Sequence, residues 1–194
     1  MSRRKSMVVW NDHPELEGKH AFLGGSNYHW LNDDEEKLIK RYEAMRAKDL
    51  GTELHEIAAT LIKHRIKVKD DETTFGMYVN DAIDFRMRPE QKLKYSDCCF
   101  GTADAICFRD DLMLLRIHDL KTGVHPCDVR QLMIYAAVFC LEQQISPYDI
   151  SFELRIYQNN DIKTWTPSSD DINTVMNAIK RNSKIILNKY KQEE

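Results

Sequence analysis

Two apolar runs, 100–108 and 112–119, stand next to each other in the middle of the chain, divided by Arg109, Asp110 and Asp111. Their length and the polar break predict a tight β-hairpin with Asp110 and Asp111 at the turn. Side-chain alternation then sets Asp119 and Lys121 on the same face as Met113, Leu115 and Ile117. In that register Asp104 pairs with Ile117 and lies diagonal to Asp119, so the two carboxylates share a face. Downstream of Pro126, a favourable first helical residue, Val129, Leu132, Met133, Ala136, Ala137 and Cys140 recur at helical spacing. Gln131 and Tyr135, four apart, form a polar pair on the edge of that helix.

The same reading covers the rest of the chain. Residues 1–32 are poorly patterned, with Trp10, Phe22, Tyr28, Trp30 and the Gly24-Gly25 pair suggesting irregular segments behind a basic tip at Arg3, Arg4 and Lys5. A helix is predicted over 32–49, with Asn32 as N-cap and Leu38, Ile39, Tyr42 and Met45 apolar. Gly51 is expected to break it, and a second helix then carries Leu54, Ile57, Ala58, Leu61 and Ile62. A third helix is predicted over 73–87, ahead of Pro89, and a strand over 92–99. A second hairpin, 149–157 with 162–165, turns at 158–161. The chain closes with an amphipathic helix over 168–192, apolar at Ile172, Val175, Met176, Ile179 and Ile186 and cationic at Lys180, Arg181, Lys184, Lys189 and Lys191.

Composition narrows the class. With 194 residues, 42% hydrophobic and 30% charged, the chain suits one globular domain with a sizeable core. A net charge of −3 argues against a strongly basic nucleic-acid coat, so any DNA binding rests on local patches and on a metal. Five cysteines in odd number with no C-x-x-C pair fit a reducing cytoplasm better than a disulfide framework. No apolar run reaches the length of a membrane span, and no signal-type core follows the basic start, so no membrane association is expected. His118 and His125 flank the Asp119 element without the paired spacing of a zinc site. The Lys121-Thr122-Gly123 triplet lacks the S-x-x-K partner of penicillin-binding enzymes, and there is no P-loop, so an ATP-driven motor would have to be a separate protein.

The two carboxylates on the hairpin carry the chemistry. At roughly 5 Å they repel by about 3 kcal/mol at an effective dielectric near 20, which a proton or a cation between them relieves. A hard, oxygen-seeking divalent ion such as Mg²⁺ or Mn²⁺ fits that gap. Three ordered elements complete the pattern: G-x-x-D at 101–104, D-x-K-T-G at 119–123 and Q-x-x-x-Y at 131–135. Together they resemble the RecB-like branch of the PD-(D/E)xK nuclease superfamily, over about 51–157.

The resemblance implies a restriction-endonuclease-like α/β core, a mixed central sheet flanked by helices in the order αβββαβ, and a Mg²⁺- or Mn²⁺-dependent deoxyribonuclease. It implies metal ligation by His55, in Gly51-Thr52-Glu53-Leu54-His55, by Asp104 and Asp119, and by the backbone carbonyl of Leu120. Glu53 and Glu56 compete with His55 if that helix is aligned a turn away. Lys121 would orient the attacking water, and Gln131 and Tyr135 would hold the site's geometry or a DNA phosphate. Nothing beyond Cys140 supplies the late cysteines of the iron–sulfur relatives, so no cluster is expected. A stand-alone domain of this kind is similar to bacteriophage or prophage exonucleases, as is Ser26 to Leu31, which implies linear DNA as substrate, a role in recombination or repair, and host-cell cytoplasm. The resemblance implies a recombinase, a single-strand-binding protein or a helicase as partner, and its ring-forming members raise the expectation of a homo-oligomer. A structure-specific endonuclease or a silent DNA-end-binding subunit is the alternative.

Overall fold

The computed structural model describes residues 22–23, 31–69, 71–123 and 127–190. The features expected at Arg3, Arg4, Lys5, Trp10, Gly24-Gly25, Tyr28, Trp30, His125, Pro126 and Lys191, and all but the last residue of the Ser26 to Leu31 pattern, lie outside the described residues. The elements in order are α1 (Glu35–His64), α2 (Thr74–Asp84), β1 (Arg88–Ser96), β2 (Cys99–Arg109), β3 (Leu114–Leu120), α3 (Arg130–Gln143), β4 (Ser151–Gln158), β5 (Asp161–Trp165) and α4 (Ser169–Tyr190). The fold is α/β, with a mixed five-stranded sheet flanked by helices. No helix of the described residues is long and apolar enough to cross a membrane.

The chain forms two compact units, Met1–Lys48 and Asp49–Glu194. In the first, Asp34 rather than Asn32 caps α1, its Oδ1 accepting from the Lys37 N–H at 2.8 Å. Asp33 pairs with Lys37 at 2.8 Å and Arg41 at 3.1 Å, and Phe22 packs edge-on to Tyr42 with centroids 5.3 Å apart.

The second unit holds the sheet, in the order β1-β2-β3-β4-β5. β3 and β4 run parallel, so α3 serves as the crossover between them, while the other neighbours are antiparallel. Two cores take alternate residues of β3. Leu115 and Ile117 pack with Leu132, Ala136 and Cys140 of α3, with Leu154 and Ile156 of β4, and with Ile172 and Met176 of α4. Leu120 packs with Ala58 and Ile62 of α1, Val79 and Ala82 of α2, and Tyr157 of β4. Each fully buried aliphatic here contributes roughly 1.5–3 kcal/mol through apolar burial. The stripe expected on α3 therefore faces the sheet, and that on α4 packs on α3 in the same core, except Ile186, which is 40% exposed.

Two expectations are corrected. Gly51 does not break the chain: one helix runs through it, and Gly51 is buried. A Cβ there would stand 2.8 Å from Thr122 Oγ1, so the glycine marks close approach of the loop after β3. The hairpin turn is also longer than two residues. Ladder pairing ends at Arg109 with Leu114, leaving 110–113 in the turn, because Asp111 folds back to clamp the Arg109 guanidinium at 2.5 and 2.7 Å. Met113 takes φ 45° while its carbonyl accepts the Ser151 N–H at 2.8 Å. The register moves accordingly, and Ile117 pairs with Ile106 instead of Asp104.

Candidate metal and catalytic site

The site begins at a strained residue of β1. Pro89 pairs with Ala105 and Gln91 with Ala103, but Glu90, between them, has φ 48°. A glutamate in the left-handed region costs of order 1–3 kcal/mol, and such strain concentrates where function requires a particular side-chain direction. Side-chain alternation slips across the same stretch of β2: Ala103 and Ile106 both join the core under α3, whereas Ala105 joins the core under α1 and α2. Asp104 thus departs from the simple alternation on which a face shared with Asp119 was expected. Its Oδ2 lies 3.4 Å from His55 Nδ1 on α1 and accepts the Leu120 N–H at 3.0 Å. That N–H lies just past the last recorded ladder pair, Ala105 with His118, so the carboxylate takes the place of a strand carbonyl.

One ligand atom each of His55, Glu90 and Asp104 lies within 4.8 Å of the others. Glu90 was not legible beforehand, since an acidic residue on an edge strand reads as an ordinary solvated position; it stays exposed, and its carboxylate nonetheless comes within 4.8 Å of His55 and Asp104. Glu53 and Glu56 are exposed, and His55 is the residue of that turn that reaches Asp104. Leu120 has its side chain in the core, so its backbone is what it offers the site.

Asp119, the next-to-last residue of β3, lies near enough to Asp104 and His55 to feel their charges and is 1% exposed. Lys121 Nζ lies 3.0 Å from its Oδ1 and 2.9 Å from its Oδ2, but only Oδ1 is in hydrogen-bonding geometry, and the buried Oδ2 has no hydrogen bond. The ammonium also donates to Gln131 Oε1 at 3.2 Å, and Gln131 Nε2 donates to the Tyr135 hydroxyl at 3.3 Å. Tyr135 in turn packs on Gly101, where a Cβ would meet its ring at 2.8 Å. The three sequence elements are therefore one mechanical unit: Gly101 seats Tyr135, which steadies Gln131, which holds Lys121 over Asp119.

The other face of the strand end is anchored through Tyr157. Its backbone carbonyl accepts the Lys121 N–H at 2.9 Å, and the neighbouring Gln158 side chain donates to the Gly123 carbonyl. The Tyr157 hydroxyl donates to Asp81 Oδ2 at 2.7 Å and lies 3.1 Å from Nδ1 of the buried His118. His118 belongs to this buried network, and burial holds its imidazole well below the usual histidine range, followed by the charges of Arg155 and Arg116.

Burial and then the Asp104 charge push the Asp119 carboxyl up to about 6, opposed by Lys121. Burial also raises Asp104, opposed by His55 and the Leu120 N–H. For Lys121, burial pulls the ammonium down, but Asp119 outweighs it, and the net shift is upward. The result is a half-buried cation beside carboxylates that are reluctant to ionise together.

The packing of Gly101 gives a direct check. Gly101→Ala drives a methyl into a half-buried ring, so a loss of about 1–3 kcal/mol is expected, read as a fall in Tm of roughly 2–4 °C per kcal/mol. An unchanged Tm would mean that Tyr135 is not seated on this glycine. No family model, no curated protein and no solved structure matches the chain.

Proposed function

We propose that the protein is a metal-dependent nuclease with a restriction-endonuclease-like core that hydrolyses DNA phosphodiester bonds, acting on the ends of linear DNA. The observation that carries this reading is the convergence of His55, Glu90 and Asp104 beside a buried Asp119 that is held by Lys121. One imidazole nitrogen with the carboxylates of Glu90 and Asp104 fits Mg²⁺ or, with its tolerance of imidazole, Mn²⁺, and Asp119, outside that group but close enough to feel the Asp104 charge, adds a further carboxylate. His55, Glu90, Asp104 and Asp119 would hold that ion, with the Leu120 backbone beside them. When bound, it supplies positive charge to the phosphoryl oxygens and acidifies a bound water.

The chain's own groups account for the rest. Lys121, fixed by Asp119 and Gln131, orients the attacking water and offsets the charge that builds on the phosphoryl group. Gln131, on the exposed edge of α3, is placed to meet a phosphate as well as to steady Lys121. The Leu120 N–H aims Asp104 and, after His55, opposes the upward push of burial on its carboxyl. The end preference follows from the resemblance to phage exonucleases.

End-labelled linear duplex and closed circular DNA, incubated with Mg²⁺, with Mn²⁺ and with chelator, test this reading, with Asp119→Ala as control. Metal-dependent loss of the linear form alone, absent in the variant, is the expected result. Cleavage of circles would make the protein an endonuclease, and absence of any cleavage despite metal binding would leave a DNA-end-binding subunit.

A further inference from the structure

A cleft of about 400 Å³ runs beside the candidate metal site, lined by Ala59, Thr60 and Lys63 of α1 and by Pro89 and Glu90 of β1. Glu90 belongs both to this cleft and to the cluster with His55 and Asp104, so the cleft continues the site. Along α1, His55, Ala59 and Lys63 are spaced four apart and form one row on the helix surface. The middle of the row is small. Ala59 has only a methyl, and the Thr60 hydroxyl is turned back onto its own helix, donating to the Glu56 carbonyl at 2.9 Å. The cleft is therefore open, with the Glu90 carboxylate and Lys63 both on its lining. Lys63 is exposed and has no ion-pair partner among the described residues, unlike Lys67 nearby, which is paired with Asp84 at 2.6 Å. The C-terminus of a helix favours a cation at such a position in any case; what that preference leaves unexplained is the open row leading to it.

Resting on the nuclease reading, we infer that this row is a subsite for the substrate strand, with Lys63 binding a backbone phosphate several nucleotides away from the one being cleaved. Eight residues of helix span about 12 Å. A strand of B-form duplex carries one phosphate per roughly 3.4 Å of axis and an extended single strand about half as many, so Lys63 lies about two to four phosphates from the reacting one. A single point-charge contact of this kind strengthens binding without reading sequence, and it acts only on substrates long enough to reach it. Lys63 is thus a binding residue for strand length, separate from the groups that perform hydrolysis.

The test compares Lys63→Ala, Lys63→Arg and wild type on single-stranded oligonucleotides of two to twenty nucleotides. Binding of the labelled twenty-mer is also followed in chelator over a salt series. The expected result is a KM that rises about fivefold for the twenty-mer with kcat unchanged, an effect that vanishes for substrates shorter than about four nucleotides, and restoration by Lys63→Arg. The slope of log affinity against log salt should lose roughly one unit. Equal effects on short and long substrates, or none on either, would overturn the subsite while leaving the nuclease reading in place. A wild type that acts on linear duplex but on no single strand would overturn the subsite alone, and one that neither cleaves nor binds DNA of either form would overturn both.

Discussion

On the proposed nuclease reading, Lys121→Ala is expected to lower kcat for cleavage by about 10²–10⁴, the range lost when a group that positions or activates a nucleophile is removed. The variant is expected to fold, because Lys121 lies at the end of β3 with its backbone N–H still held by the Tyr157 carbonyl. The change leaves Asp119 without its cation, and the Asp119 carboxyl, already at about 6, moves higher. A bound divalent cation competes with that proton, so Mn²⁺ affinity measured by calorimetry at pH 8 should survive. Loss of cleavage with metal binding intact separates an acting lysine from a structural one. Undiminished cleavage by this variant would refute the role assigned to Lys121.

Asp119→Asn has the opposite signature on stability. The carboxyl titrates at about 6 in the folded chain against an ordinary 3.8, because it is buried beside Asp104. Between those values the folded state holds more protons than the unfolded one. Stability therefore falls as pH rises from about 4 to 6 and is level above that. The full penalty at neutral pH is about 3 kcal/mol by linkage, of which asparagine, with no charge to bury, recovers roughly 2 kcal/mol. In chelator at pH 7.5 the variant should thus melt about 4–8 °C above wild type, with a flatter pH profile. Saturating Mn²⁺ should reverse the order, since a ligand at a hundred times its Kd adds about 2.7 kcal/mol to a protein that binds it. A variant less stable than wild type in chelator would show that the Asp119–Lys121 pair stabilises the fold, and the strained-site reading would fail.

Both results rest on a site only partly legible along the chain. Asp104, Asp119, Lys121, Gln131 and Tyr135 were nameable because their order follows a hairpin and a helix with strong periodicity, and such local patterns survive tertiary packing. The Lys121 to Gln131 to Tyr135 relay follows that reading directly. Glu90 was invisible because an acidic residue on an edge strand reads as a solvated position, and the expected pairing of Asp104 with Ile117 failed on the length of one turn. Register is sensitive to loop length in this way, because a change of two residues moves every pair while leaving the apolar pattern intact.

The sequence by itself determined the strands, the helices that follow Gly51 other than their joining to the one before it, the apolar faces of α3 and α4, and the clustering of Asp104, Asp119, Lys121, Gln131 and Tyr135 on the hairpin and the helix after it. Those follow from local spacing and side-chain chemistry. Only the tertiary structure decided that Gly51 is a contact instead of a break, that Glu90 and His55 meet Asp104, and that Gly101 seats Tyr135. Each of these is a contact between segments far apart in the chain. Its geometry is set by how closely two backbones approach, and that leaves no periodic trace in the residues that carry it.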